Sequence, residues 1–285
     1  MLPSCLNKKA ALSILVVVIC AVVQAAPTEA SQRDRIVSRA EAAGFQRENV
    51  STDPFVIASW SRIGEKGKPL TIYIEGDGFA WKSRHRLSSD PTPRHPVALE
   101  LALRDTSANV AYLARPCQYV KDSACTPAYW SGRRFSEEVI RSANEVVGHF
   151  ADISGAQEIH LVGFSGGAAV AVLVAARRGD VVSLRTVAGN LDPDAVNASH
   201  SISPLTESLN PIEYASALAR LPQRHFIGNK DKVVPSSVAY AFARRAGDSA
   251  CVHVTEVEGA GHDTGWDERW EKLLLMESAC AEPTQ

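Results

Sequence analysis

The sequence predicts an α/β fold in which helices cover both faces of a mostly parallel central sheet. Segments with apolar residues at helical spacing alternate with short apolar runs along most of the chain, which is typical of this class. Several runs, such as residues 70–74 and 109–114, are largely apolar, as expected of strands buried on both faces. Polar residues suited to chemistry follow several strands, at the edge where open α/β sheets bind ligands.

The N-terminal half of the fold is predicted to begin with a helix over residues 33–43 and strands over 55–60 and 70–74. The glycine- and lysine-rich residues 64–68 form the turn between the two strands. Helices are then expected over 96–104 and 135–152, on either side of a strand over 109–114.

The C-terminal half continues the alternation of strands and helices. The apolar run 158–162 is predicted as a strand and the small, apolar stretch 168–174 as the helix after it. Further strands are expected over 183–188, 224–227 and 252–257, with helices over 212–220, 235–245 and 264–278.

The first 25 residues have the pattern of a cleavable secretory signal. Lys8 and Lys9 precede an uncharged run dominated by Leu, Ile and Val, and small residues follow at Ala25 and Ala26. A retained membrane anchor is a second interpretation, which the shortness of the run disfavours. A lipoprotein modified at Cys20 is a third, disfavoured because a small residue is expected before the modified cysteine. We therefore expect an exported protein, periplasmic or secreted, without stable membrane insertion after cleavage.

The remaining residues, 26–285, are sufficient for one domain with a large core, since 45% of the whole chain is hydrophobic. Cleavage would remove two lysines and no acid, leaving 28 basic and 32 acidic groups and a net charge near −4. Nothing in this balance favours nucleic-acid binding. We expect a monomer whose partner is a small molecule.

Four cysteines remain after the predicted cleavage, namely Cys117, Cys125, Cys251 and Cys280. An even set in an exported protein predicts disulfide bonds. We favour Cys117 with Cys125, which bracket a short loop, and Cys251 with Cys280, which bracket the last strand and helix; other pairings stay open. No metal site is expected, because the sequence has no Cys-x-x-Cys and no histidine pair at helical spacing.

The pentapeptide of residues 163–167, Gly-Phe-Ser-Gly-Gly, joins the strand at 158–162 to the helix at 168–174. A sharp strand-to-helix turn places its serine in a strained backbone that glycine neighbours can pack around, and exposes the hydroxyl. An ordinary glycine loop is the simpler alternative for such a pentapeptide. The flanking strand and helix favour Ser165 as a nucleophile.

A serine hydroxyl needs a base within hydrogen-bond reach to become a good nucleophile. His262 is the candidate, because it lies in the glycine-rich loop 258–263 after the last predicted strand. His160 and His225 lie in or beside strands and are interpreted as packed histidines.

A carboxylate is then needed to orient the histidine. Asp231 follows the strand at 224–227 and precedes Pro235, a residue suited to the start of a helix. Asp192 follows the preceding strand and is the alternative, since the order serine, acid, histidine also holds for it. Asp263, adjacent to the histidine, is better suited to capping a helix.

Two backbone amides are expected to bind the oxyanion that forms when the serine attacks a carbonyl. Gly166, at the start of the helix, supplies the first. The second is assigned to Asp77, in the Glu-Gly-Asp-Gly-Phe loop 75–79 after an early strand, with Gly78 close behind. A plain glycine turn is the alternative for that loop.

With these residues in this order, residues 55–278 resemble the α/β-hydrolase superfamily. Segments 73–78, 115–119 and 189–193 are similar to a group of bacterial exported hydrolases of undefined substrate. The resemblance implies a single-domain α/β-hydrolase fold with Ser165, Asp231 and His262 as nucleophile, acid and base. Glu75 departs from the pattern, because many relatives have histidine before the oxyanion glycine.

We therefore expect an exported serine hydrolase that cleaves a small or medium carboxylic ester through an acyl-enzyme intermediate, without cofactor or metal. An acyltransferase, a peptidase or a thioesterase could use the same triad, and a secreted binding protein that lost the chemistry is a further alternative. The segment after residue 188 is short for a lid, so a deeply covered lipid tunnel is not expected.

Aromatic and basic residues surround the predicted site. Aromatic side chains that could line a pocket, or simply pack, are Trp81, Tyr129, Trp130 and Trp266. Loop histidines that could touch substrate or stay solvated are His85 and His95. Arginines that favour either an anionic substrate or, more simply, a solvated surface are Arg84, Arg86, Arg94, Arg115, Arg133 and Arg134.

Overall fold

The computed structural model describes residues 31–247 and 249–280. The predicted signal peptide of residues 1–25 and the alternative lipidation site at Cys20 lie outside the described residues. Within these ranges, no helix combines the length and apolar character needed to cross a membrane.

A mostly parallel sheet lies at the centre of the molecule. The strands of the described ranges are β1 (Gln46–Ser51), β2 (Val56–Ile63), β3 (Leu70–Ile74), β4 (Trp81–Ser83), β5 (Arg86–Leu87), β6 (Asn109–Leu113), β7 (Ile159–Phe164), β8 (Val181–Val187), β9 (Gln223–Gly228) and β10 (Val252–Val257). The eight-stranded sheet has the order β1-β2-β6-β3-β7-β8-β9-β10, and β4 pairs with β5 in a separate hairpin. β1 pairs antiparallel with β2, and β2 pairs antiparallel with β6. The remaining neighbours in the sheet order, from β6 through β3, β7, β8 and β9 to β10, are parallel.

Helices cover both faces of this sheet. They are α1 (Gln32–Ala42), α2 (Val97–Ala102), α3 (Glu137–Ser154), α4 (Gly166–Ala175), α5 (Pro193–Ser199), α6 (Ser236–Arg245) and α7 (Trp270–Leu274). α3, α4 and α6 pack in the core on one face, and α1, α2 and α7 pack in the core on the other. The predicted α/β fold with a mostly parallel, doubly covered sheet is therefore confirmed.

β7 illustrates why the central strands are apolar throughout. Successive side chains of a strand point to opposite faces of the sheet. Ile159 and Leu161 accordingly lie in the first core, while Val162 and Phe164 lie in the second. Both faces are covered, so both sets of side chains must be apolar.

Two predicted helices are wrong. Residues 212–220 form a 3₁₀ turn at Pro211–Tyr214 followed by further turns, where the amide of Leu218 donates to carbonyls three and four residues back. The 3₁₀ turn packs against α4, and tertiary packing can override local helical propensity. Within 264–278, only the 3₁₀ turn Asp267–Arg269 and the five-residue α7 are helical, because Gly265 has a φ of 78° and the chain leaves the helix to reach Cys280.

Two disulfide bonds close loops of the fold. Cys117 is bonded to Cys125 in the loop after β6, and Cys251 is bonded to Cys280 at the C-terminal end of the described chain. This is the pairing that the sequence favours. The second bond ties the last described residues to the start of β10.

Candidate active site

Ser165 lies at the sharp turn between β7 and α4. Its φ and ψ are 50° and −119°, a left-handed conformation that costs a residue with a side chain about 1–3 kcal/mol. The backbone is held on both sides, because the Ser165 amide donates to the carbonyl of Val187 at 2.9 Å and the Ser165 carbonyl accepts from the amide of Asn190 at 3.0 Å. β8 and the loop after it therefore hold the serine in a strained, half-buried position.

Two glycines of the turn are required by close packing. A Cβ on Gly167 would lie 2.1 Å from the carbonyl oxygen of Ile74 in β3, and a Cβ on Gly163 would lie 2.5 Å from the Cα of Ala168 in α4. The first turn of α4 thus approaches β3 and β7 more closely than any side chain permits. This close approach brings the loop after β3 beside Ser165.

Ser165, His262 and Asp231 are joined by hydrogen bonds. Oγ of Ser165 lies 2.9 Å from Nε2 of His262, and Nδ1 of His262 lies 2.9 Å from Oδ2 of Asp231. The three residues follow β7, β10 and β9 respectively. Side chains distant in the sequence meet because the carboxyl ends of these parallel strands share one edge of the sheet.

Asp231 is held as a carboxylate. Burial opposes its ionisation, but hydrogen bonds from His262 and from the amides of Val234 and Val233 hold its pKa below the ordinary value. Its other oxygen, Oδ1, accepts from those two amides at 3.0 and 2.7 Å. An ionised carboxylate only accepts hydrogen bonds, so Nδ1 of His262 carries a proton and the neutral imidazole offers Nε2 as the acceptor for the Ser165 hydroxyl.

Trp266 holds the loop that carries His262. Its Nε1 donates to the carbonyl oxygens of Gly261 and His262 at 2.9 and 3.0 Å, and the side chain lies in the core with 1% exposure. Phe164 supports the imidazole from the other side, with ring centroids 5.4 Å apart. Trp266 therefore positions the histidine and does not line the pocket.

Asp192, the alternative acid, caps α5 instead. Its Oδ1 accepts from the amide of Ala195 at 3.2 Å and from Nδ2 of Asn210 at 2.9 Å. The sequence favoured Asp231 and kept Asp192 as the alternative, because both aspartates follow a strand. Asp263, expected as a helix cap, lines the cavity beside His262 and makes no capping hydrogen bond within the described part of the chain.

The two predicted oxyanion residues lie next to each other. The carboxylate of Asp77 covers the backbone of Gly166, since a Cβ on that glycine would be 2.1 Å from Oδ1 of Asp77. The amides of Gly166 and Asp77 donate to no other group in residues 31–247 and 249–280, so both are available to a ligand. Their role as oxyanion donors stays a prediction.

Arg115 and Arg134 form ion pairs with the carboxylate of Asp77. Nη1 of Arg115 lies 3.2 Å from Oδ1 of Asp77, and Nε of Arg134 lies 3.1 Å from Oδ2. Arg115 is 5% exposed, and burial lowers its pKa although Asp77 opposes that shift. The interpretation of these two arginines as solvated surface is wrong; the position of Arg115 directly after an apolar strand was the signal for a site residue.

Glu75 is a buried carboxyl group beside the same loop. With 1% exposure, it accepts hydrogen bonds from the Gly76 amide at 2.9 Å and the Tyr112 hydroxyl at 3.2 Å. Burial raises its pKa to about 7, against the effect of those hydrogen bonds. Nε2 of Gln118 donates to the Gly76 carbonyl at 3.0 Å, so the loop before Asp77 is fixed at both its amide and its carbonyl.

A cavity of about 980 Å³ opens over Ser165 and His262. Of the aromatic candidates, Trp81 and Trp130 line it, whereas Tyr129 packs against Phe55 with ring centroids 4.7 Å apart. His95 also lines the cavity and pairs with Glu100 at 2.8 Å. The arginines that line it are Arg84, Arg94 and Arg134.

No protein-family model matches the chain, and no curated protein matches it by sequence. Solved structures do resemble it. The esterase Pf2001 from Pyrococcus furiosus has a TM-score of 0.58 and 16% identity over 82% of this chain and 92% of the esterase. Est1E from Butyrivibrio proteoclasticus has a TM-score of 0.56 and 13% identity over 80% and 97% of the two chains. A puromycin hydrolase has a TM-score of 0.57 and 15% identity over 81% of this chain and 37% of that one.

Proposed function

We propose that this chain, which has the α/β-hydrolase fold, is a serine hydrolase that cleaves a carboxylic ester through an acyl-enzyme intermediate. The observation that carries the proposal is the hydrogen-bonded series from Ser165 through His262 to Asp231 at the mouth of a large cavity. The similarity of fold to a protein named as an esterase supports the choice of an ester.

In the first half of the reaction, Nε2 of His262 takes the proton of the Ser165 hydroxyl as Oγ attacks the carbonyl carbon of the ester. The carbonyl π electrons move to its oxygen, which accepts hydrogen bonds from the amides of Gly166 and Asp77. The Asp231 carboxylate stabilises the imidazolium. The bond from carbon to the alcohol oxygen then breaks, and His262 returns its proton to the leaving alcohol.

In the second half, water attacks the acyl group on Ser165 while His262 removes a proton from that water. The bond between the acyl carbon and Oγ breaks, and the histidine protonates Oγ again. The carboxylic acid leaves and the enzyme is restored. No group outside the chain, the ester and water is needed to balance these steps.

Asp77 and its two arginines have a supporting role in this proposal. An oxyanion donor acts only if it is held at the position where charge develops. The contacts of Asp77 with Arg115, Arg134 and Gly166 restrain the backbone that carries one of the two amides. Loss of one such donor typically lowers kcat about a hundredfold to a thousandfold.

The proposal extends to the location of the enzyme. Both pairs of cysteines in the described ranges are oxidised, and disulfides persist mainly in exported proteins. Together with the secretory pattern of residues 1–25, this supports a periplasmic or secreted enzyme. That the enzyme is a monomer acting on a small molecule stays a prediction.

Hydrolysis of aryl esters of graded acyl length by purified protein lacking residues 1–25 tests the proposal. We expect turnover by the wild type and by Ser83→Ala, a variant of another serine that lines the cavity. Ser165→Ala should reduce kcat by about a thousandfold or more. Equal turnover by Ser165→Ala and the wild type would exclude this mechanism.

A further inference from the structure

The cavity over Ser165 is bounded by loops from two sides of the sheet. β3 and β6 lie on one side of β7, and β8, β9 and β10 lie on the other. Parallel strands deliver their following loops to the same edge, so loops after β3 and β6 flank Ser165 on one side and loops after β8 and β9 flank it on the other.

The two sides differ in chemistry. The arginines and large aromatic residues of the lining after β3 and β6 form what we call the cationic wall: Arg84, Arg94, Arg134, Phe79, Trp81 and Trp130. The branched aliphatic residues of the lining after β8 and β9 form the aliphatic wall: Val196, Ile202, Leu205, Val233 and Val234. Within the described lining, the arginines are confined to the cationic wall and the branched aliphatic residues to the aliphatic wall, while a further aromatic residue, Phe164, lies in β7 between them.

The cationic wall has more arginines than its paired carboxylate, Asp77, can neutralise. Glu75 and Asp263 also line the cavity but form no ion pair with these arginines in the described part of the chain. The guanidinium carbon of Arg94 lies 3.7 Å above the ring of Phe79, which holds the charged group against the wall. Neither Arg94 nor Arg84 forms an ion pair within the described ranges. Arg134 shares the single carboxylate of Asp77 with Arg115, so that cluster also keeps one positive charge.

A neighbouring arginine shows what ordinary surface pairing looks like in this protein. Arg133 follows the same 3₁₀ turn, pairs with Glu138 and Glu207, and does not line the cavity. Arg84 and Arg94 differ from Arg133 in both respects, because they line the cavity and form no ion pair within the described ranges. A guanidinium that has no carboxylate partner in the protein favours an anionic ligand group, above all a carboxylate, which it can bind in a bidentate manner.

The aliphatic wall favours an apolar ligand group. Ile202 and Val233 are 51% and 47% exposed, which leaves branched apolar side chains uncovered at the cavity. Val196 and Val234 lie behind them and are buried. An aliphatic ligand group that covers these side chains removes apolar surface from water, which is favourable.

We propose that the substrate is an ester with an aliphatic part on one side of the scissile bond and a carboxylate on the other. The inference rests on the proposed function, since it names the substrate class of the same site. The aliphatic part packs on Ile202, Leu205 and Val233, and the carboxylate is bound by Arg94 and Arg84.

Two matched pairs of esters test the inference. One pair places the charge on the alcohol part, as 4-carboxyphenyl butyrate against its neutral methyl ester. The other places it on the acyl part with the aliphatic group on the alcohol part, as monobutyl glutarate against butyl methyl glutarate. Release of the phenol is measured for the first pair and release of butanol for the second, and kcat/KM is corrected for the rate of alkaline hydrolysis of the same ester bond.

In one of the two pairs we expect the carboxylated ester to be preferred by about tenfold in kcat/KM. Arg94→Gln and Arg84→Gln should each reduce that preference about threefold to tenfold, as expected for exposed and partly shielded ion pairs. Addition of 0.5 M NaCl should reduce it as well, because salt screens exposed charges. Arg86→Gln, an exposed arginine of the same hairpin that does not line the cavity, is the matched control and should keep the preference.

The outcomes separate this inference from the function on which it rests. If the neutral esters are cleaved at least as well as the carboxylated ones in both pairs, the proposed function stands and the inference is wrong. The inference is also wrong if the arginine variants lose kcat/KM by the same factor on the carboxylated ester and on its neutral partner. If the wild type cleaves none of the four esters, the proposed function and the inference fail together.

Discussion

The carboxylate of Asp77 lies directly over the backbone of Gly166. A methyl group added to that glycine would be only 2.1 Å from Oδ1 of Asp77. The contact joins the loop after β3 to the first turn of α4, the two segments that carry the proposed oxyanion donors. Arg115 and Arg134 form ion pairs with the two oxygens of the same carboxylate. A site assembled in this way should be sensitive to small changes at either partner.

Gly166→Ala should impair catalysis, because the added methyl group cannot fit without displacing Asp77 or the start of α4. We expect a fall in kcat of about a hundredfold, the typical effect of one misplaced oxyanion donor. Gly132→Ala is the control, since Gly132 also lines the cavity but a Cβ there would meet nothing within 4 Å. Steady-state ester hydrolysis measures both, and equal rates would contradict the proposed role of this contact.

Asp77→Asn should destabilise the protein as well as lower its kcat. The substitution leaves the buried guanidinium of Arg115 and its neighbour Arg134 without a carboxylate, at a cost of about 2–4 kcal/mol. Asp180→Asn, which breaks the more exposed pair with Arg178, should lower the free energy of unfolding by at most about 1 kcal/mol. Urea unfolding of both variants provides the comparison, and a smaller loss for Asp77→Asn than for Asp180→Asn would contradict this account.

Glu75→Gln should change how stability depends on pH. Because burial raises the folded-state pKa of Glu75 to about 7 from 4.5, the unfolded state releases this proton at lower pH, and wild-type stability falls as pH rises through that window. The glutamine of the variant has no carboxyl group and does not titrate. Its free energy of unfolding relative to the wild type should therefore rise by about 2 kcal/mol from pH 5 to pH 8.

The control for that measurement is Glu41→Gln, an exposed glutamate of α1. Its difference from the wild type should be nearly the same at pH 5 and pH 8, when both are measured by urea unfolding. If Glu75→Gln behaves like this control, the carboxyl of Glu75 does not titrate near neutral pH.

Asp231→Asn should lower kcat by about ten-thousandfold at neutral pH, because an amide can donate to Nδ1 of His262 and so stabilise the wrong tautomer. Asp192→Asn is the informative comparison. Asp192 caps α5, and asparagine caps a helix about as well as aspartate, so this substitution should change stability little and leave kcat within a few fold. Ester hydrolysis by the two variants decides between the aspartates, and a larger loss for Asp192→Asn would reverse the assignment.

Local features made much of this fold predictable from the sequence. β3 and β10 match their predicted bounds to the residue, because apolar runs bounded by glycine and polar residues are short-range signals. β1 was missed because it is an edge strand with mostly exposed, polar side chains, which leave no apolar run. The 212–220 prediction failed because tertiary packing against α4 outweighed helical propensity.

Long-range contacts in the site were harder to predict. The sequence favoured Asp231 but kept Asp192 as the alternative, because each follows a strand. The sheet order decides their positions: β9 lies beside β10, which carries the loop of His262, while β8 is one strand further away. The contact of Asp77 with Arg115 and Arg134 joins loops after different strands, so no short-range pattern indicates it.

The central claim is that Ser165 is a nucleophile activated by His262, and covalent labelling with a fluorophosphonate tests it most directly. Folded protein is treated with the probe, digested and mapped by mass spectrometry. We expect one adduct, on the peptide that contains Ser165, and a labelling rate that falls at least a hundredfold in His262→Ala. An adduct on another residue, or undiminished labelling of Ser165 in His262→Ala, would contradict the account.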